Sequence, residues 1–330
     1  MSTINWLFEI NFAIFSVFLA LFISELMAGV LLLIAYDATK AKVLPYIVPI
    51  WEVTGTFAAF WVVTGDFAYP SMLIPVATLL AGEILVFLIL IVVRNASISF
   101  AELILKGGRI TEKRLYQLYG LATIGIGVVV LIVLSAIVSG AGVTLATLTF
   151  SVAGWATASG SLPYLLGVIL IAVGLAPVFY NIEPLRRISI PFTVAGVAVE
   201  TLALYLYSPS FIGTAFLIPA LLTILVPVLY QFRLTAPLVY SKVIFALVGA
   251  VIIFSLSYLV YPTAFNGALP VDAVTTKGPM VGAFYVLTAI GAVVVGLLNV
   301  MLILVVWRAQ RTRAATARSQ PPTAPVAHNP

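Results

Sequence analysis

Residues 71–93 read SMLIPVATLLAGEILVFLILIVV, a run whose sole charged side chain is Glu83. About 20 apolar residues in a helix cross the roughly 30 Å hydrocarbon core of a bilayer, so this stretch is long enough to span one. Eight further runs surround it, at approximately 11–35, 47–65, 115–139, 161–180, 189–207, 213–231, 243–261 and 281–307. The whole chain of 330 residues is 63% apolar and 8% charged, against about 45–50% and 25% in soluble domains. A water-soluble globule is therefore excluded. The apolar residues come in blocks rather than in alternation, which argues against an outer-membrane barrel. The expected fold is an all-α polytopic membrane protein: one helical domain over residues 1–307 with about nine transmembrane spans, then a disordered basic, Pro-rich tail over 308–330. The sequence from Gly140 to Gly160 is rich in Thr, Ser and Gly. It reads as a loop in the outer interface, re-entrant or not, with a tenth helix as the weaker alternative.

Side-chain chemistry is scarce. There is no cysteine, and the single histidine, His328, lies in the tail. Disulfides, thiolate-bound clusters and imidazole-held haem inside the bilayer are ruled out, and no catalytic residue or metal site is expected. No phosphate loop and no Ser-His-Asp set is present. The net charge of +5 reflects topology. With nine spans, fifteen of the sixteen basic residues, among them Lys40, Lys42, Arg94, Arg109, Lys242 and Arg308, fall on one side, and Lys277 alone on the other. Basic residues accumulate in cytoplasmic loops, so the N-terminus is expected outside and the C-terminus in the cytoplasm of a plasma-membrane protein. The cations need no nucleic acid, and membrane lipids are their simplest partners. Residues Ser97–Leu105, followed by Lys106-Gly-Gly-Arg109, read as a short interfacial helix.

Carboxyl groups are where chemistry can live, because each costs several kcal/mol inside hydrocarbon. Glu25 lies past the midpoint of the first span, Glu52 about one turn into the second, and Glu83 and Glu200 at the centres of the third and sixth; Asp66 caps the outer end of the second. No basic residue inside the hydrocarbon is expected to pair with them. Such groups are held neutral much of the time by desolvation. They are either hydrogen-bonded structural contacts between helices or stations on a proton path. Trp51, directly before Glu52 in a Pro49-Ile-Trp-Glu turn, is the aromatic residue that stands out from the interfacial belt.

Residues 47–102 carry a recognisable pattern: Pro49-Ile-Trp51-Glu52, Gly55, the aromatic and Ala-rich Phe57–Trp61, Tyr69-Pro70, and Arg94 before a short amphipathic segment. This pattern resembles helices two and three of subunit II of the cytochrome bd quinol oxidases, a family whose subunit II also has nine helices and no haem ligands. The run that the family carries in helix one is replaced here by Ser24-Glu-Leu-Met-Ala-Gly-Val30, in which only Gly29-Val30 match directly. The resemblance implies a chain without a cofactor of its own, paired with a haem-bearing subunit I that oxidises quinol and reduces oxygen. It places Glu52 at the cytoplasmic mouth of a proton path with Trp51 packed beside it, and Glu25 more loosely on the same path. Helix one also faintly resembles subunit I, so a haem-free paralogue of that subunit remains open. So do a proton-coupled secondary transporter and a quinone-binding membrane anchor of another oxidoreductase.

Overall fold

A computed structural model describes residues 5–104, 111–234 and 242–319. The runs at 11–35 and 47–65 form a single element, α1 (Trp6–Ala68), interrupted at Ala35, whose φ of −146° and ψ of 43° are not helical. Hydrogen bonds show that the chain reverses there: Ser24 meets Tyr46, and Asn11 meets Trp61 and Thr64. Each pairing is centred close to Ala35, so α1 is a helical hairpin with two antiparallel arms. Residues 36–46 are helical rather than a connecting loop, and Thr39 closes the turn by donating its hydroxyl to the Ala35 carbonyl at 2.8 Å.

The arms are tied by one buried amide. The Asn11 side chain donates to the Trp61 carbonyl at 3.2 Å and to Thr64 Oγ1 at 2.9 Å, and accepts from Trp61 Nε1 at 3.2 Å. Hydrogen bonds between membrane helices average about 0.6 kcal/mol and reach about 1.7. Asn11→Leu is therefore expected to destabilise the purified chain by about 1–2 kcal/mol in a detergent unfolding titration. An unchanged midpoint would show that this amide does not hold the arms together.

The run at 71–93 is broken at Leu80 into α2 (Leu73–Leu79) and α3 (Ala81–Ser99). A π turn, Phe100–Ile104, continues α3. Ser97–Ile104 is thus an extension of α3 and not a separate interfacial helix, because nothing between Arg94 and Glu102 breaks the backbone ladder. Residues 105–110, with Lys106 and Arg109, lie outside the described residues. Then follow α4 (Glu112–Ser139), α5 (Val152–Thr157), α6 (Ser161–Phe179), α7 (Arg186–Tyr207), α8 (Thr214–Gln231), α9 (Lys242–Ser255), α10 (Val271–Val274) and α11 (Pro279–Ser319). Among the described residues seven helices are long and apolar enough to cross a membrane, α1 being one, and Ile244–Leu259 is apolar but shorter. The chain is a multi-pass, all-α membrane protein.

Close backbone approaches set the helix pairs. On α6 a Cβ at Gly167 would lie 2.8 Å from the backbone nitrogen of Glu200 on α7, and on α7 one at Gly196 would lie 2.7 Å from that of Ile171. In lipid, association rests on such contacts between small residues rather than on burial from water.

The 140–160 region is a folded cap. Strands β1 (Val143–Thr144) and β2 (Thr149–Phe150) pair antiparallel, Val143 opposite Phe150 and Thr144 opposite Thr149. In the α5 helix that follows, Trp155 is buried and donates its indole N–H to Ser135 Oγ at 2.7 Å. A second hairpin, β3 (Thr263–Ala264) with β4 (Leu269–Pro270), pairs Thr263 with Pro270 and Ala264 with Leu269. It sits on the end of α4: the backbone N–H groups of Phe265 and Asn266 donate to the carbonyls of Ile137 and Val138, at 2.6 and 3.0 Å.

Apart from α11 beyond Tyr285, these elements belong to a unit of residues 1–285; a second unit comprises residues 286–330. Of the second, the structure describes the continuation of α11 as a helix to Ser319, past the run at 281–307 and into the segment whose composition reads as tail. Residues 320–330, with His328, lie outside the described residues.

Candidate functional site

Three helices bring charge together in the interior. Glu25 on the first arm of α1 is fully buried, and its Oε2 is ion-paired with the guanidinium of Arg94 on α3, itself 6% exposed. Tyr119 on α4 donates its hydroxyl to the same oxygen at 2.8 Å, and its ring lies 5.5 Å from the guanidinium carbon. Arg94 also donates to Asn95 Oδ1 at 3.0 Å. Two buried atoms of the cluster, Glu25 Oε1 and Arg94 Nε, have no hydrogen-bond partner among the described residues. Alongside, Tyr180 donates to the Ser24 carbonyl at 2.9 Å, and the Ser24 and Tyr46 hydroxyls share a hydrogen bond of 3.2 Å.

This pairing corrects the expectation that the intramembrane carboxyls lack a cation. Because α3 runs on past Val93, Arg94 is an interior residue of the helix rather than part of a loop. A buried carboxylate and guanidinium that can reach each other pair, since either alone would bear the full cost of desolvation.

The site opens toward the N-terminus of α4. Glu112, Tyr116 and Tyr119 recur at i, i+4 and i+7, one face of a helix. Tyr116 donates to Glu102, Tyr36 donates to Glu112 Oε1 at 3.1 Å, and Lys113 pairs with Asp37 at 2.6 Å. These pairs form a ladder of separate rungs: exposed Asp37 with Lys113, then buried Tyr36 and Tyr116 each on an exposed glutamate, and last Tyr119 with Glu25, both buried; among the described residues no hydrogen bond joins one rung to the next. Sequence reasoning singled out Glu25 and Arg94 but missed Tyr116, Tyr119, Glu102 and Glu112. The spacing 112, 116, 119 was the available signal.

The remaining candidates stand apart. Glu52 is exposed, and half-buried Trp51 packs against the core that contains Tyr36 and Tyr180. The second arm starts at Tyr36, so Glu52 lies about 25 Å along it from Ala35 at 1.5 Å per residue and not one turn into a helix. Glu83 is in the first turn of α3, partly exposed, where the positive end of the helix favours a carboxylate; the break at Leu80 moves it there from the centre of a span. Glu200 lies against Gly167 across the α6–α7 contact, its Oε2 buried without a hydrogen-bond partner among the described residues. Asp66 is within the last helical turn and caps nothing; the end of α1 is closed by the Tyr69 N–H donating to the Gly65 carbonyl. Among the described residues, Glu52, Glu83 and Glu200 share no hydrogen bond with Glu25 or with one another.

Fold and site together define a polytopic helical membrane protein with an internal carboxylate–guanidinium–phenol cluster and a ladder of polar pairs toward the N-terminus of α4. In the bd oxidase of Geobacillus thermodenitrificans, one chain has this same fold: the two superpose with a TM-score of 0.63 over 93% of this chain and 98% of that one, at 18% sequence identity. No protein-family model matches the sequence, and no curated protein does.

Proposed function

We propose that the chain is a haem-free subunit of a membrane quinol:oxygen oxidoreductase of the cytochrome bd type, working in the plasma membrane beside a haem-bearing subunit. The observation that carries this reading is the near end-to-end likeness to a bd oxidase chain, with almost nothing left over on either side. The motif at Pro49–Glu52 and the lack of cysteine and of any intramembrane histidine agree with it. In this reading the N-terminus is outside, the ladder end of α4 faces the cytoplasm, and haems and quinol belong to the partner.

The subunit's own contribution is a route for protons. Glu112 and Glu102 collect them from water, and the Tyr36, Tyr116 and Tyr119 hydroxyls relay them by rotating between acceptors. Arg94 holds Glu25 Oε2, so Oε1 is the oxygen left free for a proton or a water. Glu52, a carboxyl on an apolar exposed face, is too costly to leave in lipid and lies against the partner subunit as the station that hands protons across. Glu83 is a secondary station at the start of α3, and Glu200 acts mainly in packing α6 on α7.

The test is quinol-driven oxygen uptake by the complex assembled from both subunits. Glu52→Gln keeps size and hydrogen bonding but cannot release a proton, and a positioned acid–base group is worth roughly 10²–10⁴ in rate. We expect a loss on the order of tenfold or more for Glu52→Gln and a near-parental rate for Glu200→Gln, with haem content unchanged in both. Normal assembly and full turnover of Glu52→Gln would overturn the proton route. A stoichiometric Soret band in this chain purified alone would overturn the haem-free assignment.

A further inference from the structure

A cavity of about 170 Å³ lies between α1, α6, α8 and α9, walled almost entirely by apolar side chains such as Ala20, Met27, Leu175, Val226 and Ile253. It follows α9 from Phe245 to Ile253, about 12 Å of helix. One end is bounded by the rings of Phe179 and Phe245, edge to face at 4.9 Å. Directly beyond this aromatic wall stands a cation. Lys242 Nζ is 4.5 Å from the centroid of Phe179, 4.7 Å from that of Tyr180 and 5.4 Å from that of Tyr46, and it donates to the Phe179 carbonyl at 2.5 Å. Lys42 donates to the Asn181 carbonyl, two residues further along the same turn.

Two ammonium groups thus converge on the end of α6, and neither is within ion-pair distance of a carboxylate among the described residues. Carbonyls at a helix C-terminus attract cations, but among the described residues each lysine spends one of its three N–H donors there. An apolar slot beneath two cations that have no carboxylate partner among the described residues is complementary to a molecule with an anionic head and a hydrocarbon tail. We propose that this is a binding site for an anionic phospholipid, its phosphate between Lys42 and Lys242 and one acyl chain in the cavity behind Phe179 and Phe245. Ammonium groups bind phosphate as point charges, and the dry, apolar wall accepts methylene groups without leaving a polar atom unsatisfied. The site does not depend on the oxidase reading, and its ligand is a lipid of the surrounding bilayer.

The experiment is native mass spectrometry of the full chain, delipidated in detergent and titrated with phosphatidylglycerol. Phosphatidylcholine with the same acyl chains, inorganic phosphate and a menaquinone serve as comparison probes. Lys42 is exposed, so Lys42→Gln leaves the fold undisturbed; Gly249→Leu fills the cavity and leaves both charges in place. Phosphatidylglycerol is expected to bind at one stoichiometric site, at least tenfold more tightly than phosphatidylcholine. Each substitution is expected to weaken it at least fivefold, with elution volume and circular dichroism unchanged. Equal retention of the two lipids would overturn the proposal, as would binding indifferent to both substitutions. Inorganic phosphate competing as well as the lipid would reduce the site to an ion contact, and preferential retention of menaquinone would replace the phospholipid; either result also overturns it.

Discussion

Arg94→Met is expected to abolish recovery of the folded chain, whereas Glu25→Leu combined with Arg94→Met is expected to restore it. Removing one member of a buried ion pair leaves the other charge uncompensated and costs about 3–5 kcal/mol, a large share of the roughly 5–15 kcal/mol by which proteins are stable. Here the orphan would be Glu25, fully buried on α1 with Tyr119 as its one remaining donor. Replacing both members by apolar groups removes the desolvation cost of the two charges, leaving only the Tyr119 hydroxyl to find another acceptor, and such exchanges are often neutral or stabilising. The measurement is the yield of monodisperse protein and its thermal midpoint in detergent. The double variant also separates structure from function. If Glu25 is a proton station, the restored protein assembles with its partner but supports little oxygen uptake. A single Arg94→Met protein as stable as the parent would mean that the pair is not formed.

Gly120→Val should have the next largest effect. A Cβ on Gly120 would lie 2.8 Å from the carbonyl oxygen of Gly29, and one on Gly29 would lie 3.0 Å from that of Gly120. Backbone meets backbone, so no side chain can swing aside, and α1 and α4 must separate. Overpacking of this kind typically costs about 1–3 kcal/mol. Gly120 adjoins Tyr119 and Gly29 lies one turn from Glu25, so the separation also stretches the Tyr119–Glu25 hydrogen bond. The substitution is therefore expected to be non-additive with Tyr119→Phe, because the two remove the same contact. A double-mutant cycle read by thermal midpoints checks this; strict additivity would place the crossing and the cluster in independent parts of the structure.

How much of this was readable in advance differs by kind of feature. Runs of apolar residues announce spans because lipid imposes a length, and each run at 11–35, 115–139, 161–180 and 213–231 falls mostly or wholly within a helix. Breaks were less legible. Leu80 interrupts the run at 71–93 and Ala35 interrupts α1, yet neither residue type signals a break. Pro45 and Pro49, which do signal one, lie inside a helical arm. The partnership of Glu25 with Arg94 could not be read locally, since 69 residues separate them and they become neighbours where α1 and α3 both pack against α4. The Glu112, Tyr116 and Tyr119 stripe, by contrast, was present as a spacing, and tyrosines in an apolar helix are easily taken for belt residues.

The hairpin formed by β3 and β4 imposes an order on biogenesis. The last carbonyls of α4, at Ile137 and Val138, receive their donors from Phe265 and Asn266, and the Ala68 carbonyl at the end of α1 receives its donor from Thr276. Ribosomes add roughly 5–20 residues per second, so the end of α4 waits about 6–26 s between its own synthesis and the arrival of its cap. Over that interval α6, α7, α8 and α9 are all being made and inserted. The early helices therefore dwell in the membrane, closed by their own local caps at Gly140 and Tyr69, with these last carbonyls left to water or headgroups until residues 265–276 fold back and cover them.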